Sequence, residues 1–163
     1  VICDLLAGKL IVSRDRMGIK PLYYYRGNGY LAFASEIKQF MQFRDFQPAA
    51  REEVVKQYLL TGFERNDLTF FSDVFPVLPG TFLEVDINTL ALSEPVSFWD
   101  PIRISANVTD VAKATEMFSS AFEESVRLHL RSDVPVGCQL SGGVDSSAVF
   151  ALMNRYYTGE IIN

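Results

Sequence analysis

The sequence predicts an α+β segment built on antiparallel strands, followed by the opening of a parallel α/β segment. Three observations carry this. Asn28-Gly29 sits between two strand-like runs, Leu22-Tyr23-Tyr24-Tyr25 and Tyr30-Leu31-Ala32-Phe33-Ala34, a strong hairpin signal because both turn positions tolerate positive φ. Phe82-Leu83-Glu84-Val85-Asp86 alternates apolar and polar residues like a half-buried strand. Beyond residue 110, an amphipathic helix pattern leads into a short apolar run, a glycine-rich loop and a second helix, the order with which a parallel sheet begins.

Taken in order, Leu10-Ile11-Val12 is a short strand, Met17-Gly18 a turn, and Asn28-Gly29 the hairpin tip. Ser35 is the expected cap of a short helix through Phe40, and Gln47-Pro48 ends that pattern. Residues 51–60 read as a helix with Val54, Val55, Tyr58 and Leu59 on one face. Pro79-Gly80 is a turn before the 82–86 strand, and Asn88-Thr89 turns the chain back toward Leu90-Ala91-Leu92. The expected organisation is a first portion over 1–100, a linker over 101–109 and a second portion over 110–163. Thr109 or Asp110 caps a long helix whose apolar stripe runs through Val111, Ala114, Phe118, Ala121, Phe122, Ser125, Val126 and His129. Val134-Pro135-Val136 leads into a strand at Gly137-Cys138-Gln139-Leu140. The loop 141–147, a buried helix over 148–153 and a second strand at Glu160-Ile161-Ile162 complete the pattern. Neither Val1-Ile2-Cys3 nor Glu160-Ile161-Ile162-Asn163 reads as a natural terminus, so the expectation is an internal piece of a longer protein.

Composition narrows the function. The 163 residues are 48% apolar and 21% charged, with a formal net charge of −5. No Lys/Arg block stands out, which argues against nucleic acid as a partner. Two cysteines and one histidine, widely spaced, exclude a Cys/His zinc pattern and a disulfide framework. A reducing, cytoplasmic compartment fits this usage, and no apolar run has the length of a membrane span.

Ser141-Gly142-Gly143-Val144-Asp145-Ser146-Ser147 carries the chemistry. Two glycines let the backbone turn tightly and approach an anion without a Cβ in the way. The N–H groups that open the following helix point at the anion, and the helix dipole adds roughly 0.3–2 kcal/mol. Three serine hydroxyls add donors. Asp145 would repel phosphates unless a cation stands between, so its role is Mg²⁺ contact, directly or through water, or bonding loop N–H groups. The loop has no lysine and is not G-x-x-x-x-G-K-[ST], which disfavours γ-phosphate transfer.

The loop resembles that of the ATP pyrophosphatase superfamily, SGGxDS. The resemblance implies cleavage of ATP between its α and β phosphates and adenylation of a carboxylate or amide oxygen. It further implies that Gln139, Leu140, Ser141, Gly142, Gly143, Asp145, Ser146 and Ser147 hold the nucleotide's pyrophosphate portion, with Gln139 standing where the family usually has Leu. Upstream, Arg14-Asp15-Arg16-Met17-Gly18-Ile19-Lys20-Pro21-Leu22-Tyr23-Tyr24, then Phe33-Ala34-Ser35-Glu36-Ile37-Lys38, Leu78-Pro79-Gly80 and Phe98-Trp99-Asp100, resemble the glutaminase domain of glutamine-hydrolysing asparagine synthetases. That resemblance implies an Ntn-hydrolase-like antiparallel β-sandwich ahead of a Rossmann-like domain. It implies glutamine, aspartate and Mg-ATP as partners, no organic prosthetic group, and leaves a homodimer open. The family's N-terminal cysteine nucleophile has no counterpart here, so no catalytic residue is assigned; Cys3, in an apolar strand context, reads as core.

Asp4 lies ten residues before Arg14, the spacing of the family's glutamine-binding Asp. Spacing alone reads it as a strand-end turn residue; the resemblance makes it the partner of the glutamine ammonium. Arg14 and Asp15 read as a structural pair bracing the hairpin near that site, Trp99 as packing at the domain junction, and His129 as a satisfied structural residue. Two rival readings keep most of the fold: a relative amidating another carboxylate such as a sugar acid, and a catalytically dead regulatory homologue.

Overall fold

A computed structural model describes residues 1–103, 108–159 and 161–162, and the chain divides into two compact units, Val1–Ile104 and Ser105–Asn163. Within the expected linker, residues 104–107 lie outside the described residues, as does Glu160 in the last expected strand; the chain is helical in a short 3-10 turn at Pro101–Arg103.

The first unit consists of two antiparallel sheets. One orders β1 (Ile2–Asp4), β2 (Lys9–Ser13), β6 (Thr81–Asp86) and β7 (Val96–Ser97), neighbour by neighbour. The other orders β4 (Tyr30–Ala34), β3 (Tyr23–Gly27) and β5 (Val74–Pro76). Period-two alternation decides what each face buries. Leu10 and Val12 of β2 meet Leu83 and Val85 of β6 on the inner face, and Tyr24, Leu31 and Phe33 of the second sheet pack against them. Tyr24 stacks on Phe75 of β5 with ring centroids 5.2 Å apart. The opposite face of the second sheet is also covered. Tyr25, Tyr30, Ala32 and Val74 pack there with Phe40, Phe46 and Phe71, and the Tyr25 and Phe46 rings meet edge to face at 5.0 Å.

The Asn28-Gly29 hairpin forms with Gly27 opposite Tyr30. Only Gly29 takes positive φ (79°), so the turn is not the doubly left-handed one that Asn-Gly suggests. The short helix is a 3-10 helix at Ile37–Gln42, and its N-cap is Glu36 rather than Ser35. Gln39 explains the shift: its side-chain oxygen accepts from the Glu36 N–H at 3.4 Å, and its own N–H donates to the Glu36 carbonyl at 3.1 Å. Helix α1 (Glu52–Thr61) buries Val54 alone. Tyr58 and Leu59, expected on the buried face, are 41% and 77% exposed, and Tyr58 packs edge to face on Phe70 with ring centroids 5.4 Å apart.

The crossings between the two sheets are tied together by Arg14 and Asp15. The chain passes from β2 to β3 through residues 14–22, and returns from β5 to β6 through 77–80. The Arg14 guanidinium donates to the carbonyls of Gly18 (2.9 Å), Lys20 (3.2 Å) and Val77 (2.9 Å), so one side chain bonds both crossings. The Asp15 carbonyl accepts from the N–H groups of Gly18 and Gly80, both at 3.0 Å, and its carboxylate from those of Ile19 and Lys20, both at 2.9 Å. Gly18 (φ 67°) has no room for a side chain: a Cβ there would stand 2.7 Å from the Pro79 ring. Gly80 is equally confined, its would-be Cβ lying 2.9 Å from the Trp99 carbonyl. Its own carbonyl accepts from Phe98 N–H (3.0 Å) and Trp99 N–H (3.3 Å), so Leu78-Pro79-Gly80 and Phe98-Trp99-Asp100 meet in space.

The second unit holds α2 (Val111–His129), β8 (Val136–Gly137), α3 (Val144–Tyr156) and β9 (Ile161–Ile162), with β8 and β9 parallel. Asp110 caps α2, its carboxylate accepting from the Ala112 N–H at 2.9 Å. Of the eight residues on the expected apolar stripe, only Val126 is buried. Val111 and Phe118 are 79% and 69% exposed; among the described residues of this unit nothing covers the stripe over the N-terminal half of α2. Of the strand expected at Gly137-Cys138-Gln139-Leu140, only Gly137 lies in β8, which begins one residue earlier at Val136. Met153 is the buried residue of α3, a helix half-buried along its middle rather than buried throughout.

Two predictions follow from the Arg14–Asp15 tie. Arg14→Ala, read by urea unfolding of the first unit's tyrosine fluorescence, should cost about 1–3 kcal/mol, because the part-buried bonds to the Val77 and Gly18 carbonyls lose their charged donor; Arg14→Lys should recover only part of it. Hydrogen bonds from the Lys20 and Ile19 N–H groups hold the Asp15 carboxyl below its ordinary range. Its folded-state pKa is thus below its unfolded value, and the contribution is present above the unfolded pKa and lost as pH falls through the folded one. Asp15→Asn should therefore flatten the acid side of the stability–pH curve and leave its slope above neutrality unchanged.

Candidate functional site

The glycine-rich segment lies between β8 and α3. Helix α3 begins at Val144, so Asp145, Ser146 and Ser147 occupy its first turn, not the loop as expected; Gly143 is the N-cap. The physical reason is the hydroxyls. Ser146 Oγ and Ser147 Oγ both donate to the Gly143 carbonyl, at 3.1 and 2.8 Å, while the Ser147 N–H closes the first helical turn onto that carbonyl at 3.1 Å. Ser141 Oγ accepts from the Gly143 N–H (3.4 Å) and lies 3.0 Å from Ser146 Oγ. The bend is made at Gly142, whose φ is 80° with open space where a side chain would stand. These bonds preorganise the loop with N–H groups of the first turn of α3 left without helical acceptors, as at any helix start.

Ser141, Gly142, Gly143, Asp145 and Ser147 are exposed and Ser146 is half-buried. Among the described residues the Asp145 carboxylate has no hydrogen-bond or ion-pair partner, so of the two roles open to it, bonding loop N–H groups is not the one adopted. Gln139 and Leu140 precede the turn, outside any strand, and Leu140 is 49% exposed. Behind the loop lies an apolar hollow of about 410 Å³ lined by Phe122, Val126, His129, Val136, Val149 and Met153. His129 Nδ1 is 2.8 Å from the Ser125 carbonyl, one helical turn back, a local structural bond.

Asp4 ends β1 in the first unit. Its Oδ1 accepts from the N–H groups of Leu6 (3.1 Å) and Ala7 (3.0 Å), which makes it the organiser of the β1–β2 turn. Asp4 pairs across the hairpin with Lys9, whereas Arg14 follows Ser13 at the other end of β2. Arg14 therefore braces the sheet crossings a strand's length from Asp4, not the turn beside it. Cys3 is exposed, not core as its apolar neighbours suggested, because β1 is the edge strand of its sheet and all three of its residues face solvent.

One feature had no sequence signal. A hollow of about 250 Å³ opens between the outer face of the second sheet and α1, lined by Arg14, Tyr23, Val54, Glu64, Arg65 and Asn66 among others. Its position depends on the path of residues 62–73, which carry no periodicity. Thr69, buried beside it, donates to the Val74 carbonyl at 2.7 Å and holds that path in place.

Replacing Gly142 by Ala should destabilise the second unit by about 1–2 kcal/mol through the left-handed backbone alone, since no neighbour would be struck. Thermal unfolding of the variant beside Gly143→Ala, where φ is −77°, separates backbone strain from a general effect of filling the loop.

Comparison with known proteins agrees with this division. The glutamine amidotransferase domain family matches residues 1–99, and the asparagine synthase family matches residues 117–162. Among curated relatives, amidase chry2 of Gibberella zeae is 34% identical over 95% of this chain, and amidase chyE of Penicillium rubens 35% over 94%. Asparagine synthetase [glutamine-hydrolyzing] 1 of Bacillus subtilis is 32% identical over 89%. The chain spans 22–23% of the length of these relatives. It belongs, by its glutamine amidotransferase domain and the asparagine synthase sequence that follows, to the glutamine-hydrolysing asparagine synthetase family.

Proposed function

We propose that this chain is the part of a glutamine-dependent asparagine synthetase in which the glutaminase portion gives way to a Rossmann-like, ATP-pyrophosphatase-type synthetase portion. The observation that carries the reading is the preorganised Ser141–Ser147 turn at the head of α3, in sequence that matches the asparagine synthase family. Glutamine, aspartate and ATP are the substrates. Aspartate's side-chain carboxylate oxygen attacks the α-phosphorus of ATP, pyrophosphate leaves, and a β-aspartyl-adenylate forms. Ammonia released from glutamine then attacks the acyl carbon and expels AMP, giving asparagine. Activation is needed because a carboxylate is a poor acyl donor, whereas AMP is a good leaving group. Ammonia must arrive unprotonated, so it is passed on sheltered from water.

In this chain, the α3 N–H groups and the hydroxyls of Ser141, Ser146 and Ser147 would hold the pyrophosphate. Among the described residues no group of three or more His, Cys, Asp or Glu gathers as a metal cage. That donor set suits Mg²⁺ arriving with ATP, with Asp145 as one ligand and phosphate oxygens and water as the rest. The bound ion would neutralise charge building on the pyrophosphate. Asp4, through the carboxylate oxygen its turn bonds do not use, would pair with the glutamine ammonium. No helix among the described residues is long and apolar enough to cross a membrane, and a cytoplasmic setting is part of the proposal.

A second reading has its own support: two relatives are named amidases and match at 34–35% identity. The same machinery would then serve a carboxylate other than aspartate.

Substitution in the protein carrying this sequence at its relatives' length tests the assignments. Asp145→Asn or Ser146→Ala should lower acceptor-dependent AMP formation by about tenfold or more, while glutamine hydrolysis persists. Asp4→Asn keeps the turn-forming oxygen and removes the charge. It should raise KM for glutamine and spare synthesis driven by added ammonia. Equal loss with glutamine and with ammonia would remove Asp4 from the glutamine site.

A further inference from the structure

Asn28 and Gly29 form the exposed two-residue tip of the β3–β4 hairpin. An asparagine followed by glycine is the pair in which the next backbone nitrogen most easily reaches the side-chain carbonyl carbon, because glycine offers no side chain to obstruct it. Here the site is open. A Cβ on Gly29 would meet no atom within 4 Å, and among the described residues the Gly29 N–H has no hydrogen-bond acceptor to hold it. We infer that Asn28 is a site of spontaneous deamidation through a cyclic imide with Gly29. The Gly29 nitrogen gives up its proton to solvent base and bonds to Asn28 Cγ; the Cγ–NH₂ bond breaks and the nitrogen leaves as ammonia. Water then opens the ring at either carbonyl, yielding aspartate or isoaspartate, with no oxidant or reductant involved.

The structure also says what the change does. The Asn28 N–H donates to Asp45 Oδ2 at 3.4 Å, and the Tyr30 hydroxyl donates to Asp45 Oδ1 at 2.6 Å. Tyr30 meets Tyr25 edge to face at 6.1 Å, and Tyr25 leads into the cluster of Phe40 and Phe46. A carboxylate at position 28 places like charge beside Asp45. Isoaspartate also adds one methylene to the main chain of a two-residue loop, which cannot keep Gly27 opposite Tyr30 without bulging. The modified hairpin loosens from the 43–46 segment, and the aromatic cluster is where the loss is felt. Of the other asparagines, Asn66 precedes Asp67, Asn88 precedes Thr89, Asn107 precedes Val108 and Asn154 precedes Arg155, while Asn163 is the last residue of the sequence.

The test is to hold the full chain at 37 °C over a series of neutral to mildly alkaline pH values and follow the tryptic peptide 27–38 by mass and by isoaspartate methyltransferase labelling. The account expects loss of the Asn28 amide at a rate proportional to hydroxide concentration, ahead of Asn66, Asn88 and Asn154, with isoaspartate among the products. Asn28→Gln should stop the loss at this peptide without disturbing the fold, and Asn28→Asp should carry the charge from the start while gaining the isoaspartate label more slowly than the parent, since a carboxylate closes to the same imide less readily than an amide. An intact Asn28 amide while another asparagine is converted, or a rate independent of pH, overturns the inference.

Discussion

The Arg14 guanidinium is the contact on which the first unit depends. It bonds carbonyls on both segments that cross between the sheets, and the adjoining Asp15 carbonyl accepts from Gly18 and Gly80 on the same two segments. Apart from that tie and the two chain crossings, the sheets face each other through apolar packing, which resists separation but not sliding. The tie fixes one sheet over the other, so Tyr24, Leu31 and Phe33 meet Val12, Leu83 and Val85 in a single register. The confined glycines, Gly18 under Pro79 and Gly80 under Trp99, belong to the same knot. Arg14, Asp15, Gly18, Gly80 and Trp99 of the motif stretches are explained by this geometry as parts of one joint.

The second unit uses the same economy at smaller scale. Two serine hydroxyls and one backbone N–H converge on the Gly143 carbonyl, and that convergence turns a strand exit into a helix start. Ser146 and Ser147 therefore have a structural task before any ligand arrives. A phosphate would compete for hydroxyls already engaged, which links nucleotide binding to the stability of the first turn of α3.

Much of this was legible in the sequence. Several local signals held: the alternation at 82–86, the hairpin tip at Gly29, the turn at Gly18 and the cap at Asp110. The glycine loop was legible as a tight turn leading into a helix. Its helix boundary was misplaced, because serines read as loop donors are also good first-turn residues when a carbonyl lies within reach. Burial was the weak point. Cys3, Leu59, Val111 and Phe118 were assigned to buried faces by neighbours and periodicity, yet are exposed, because periodicity says which residues share a face and not whether anything covers it. Arg14 was legible as structural, but its partners were not: adjacency suggested Asp15, whereas the bonds go to three carbonyls up to 63 residues away.

On the proposed function, the amidotransferase sequence and the Ser141–Ser147 turn serve one coupled synthesis. The most direct measurement incubates the protein carrying this sequence at its relatives' length with glutamine, Mg-ATP and aspartate, and follows AMP, pyrophosphate and asparagine together. All three rising in step, and each requiring aspartate, is the predicted result. Release of ADP and phosphate in their place, or glutamate formation with no aspartate-dependent AMP, would contradict it.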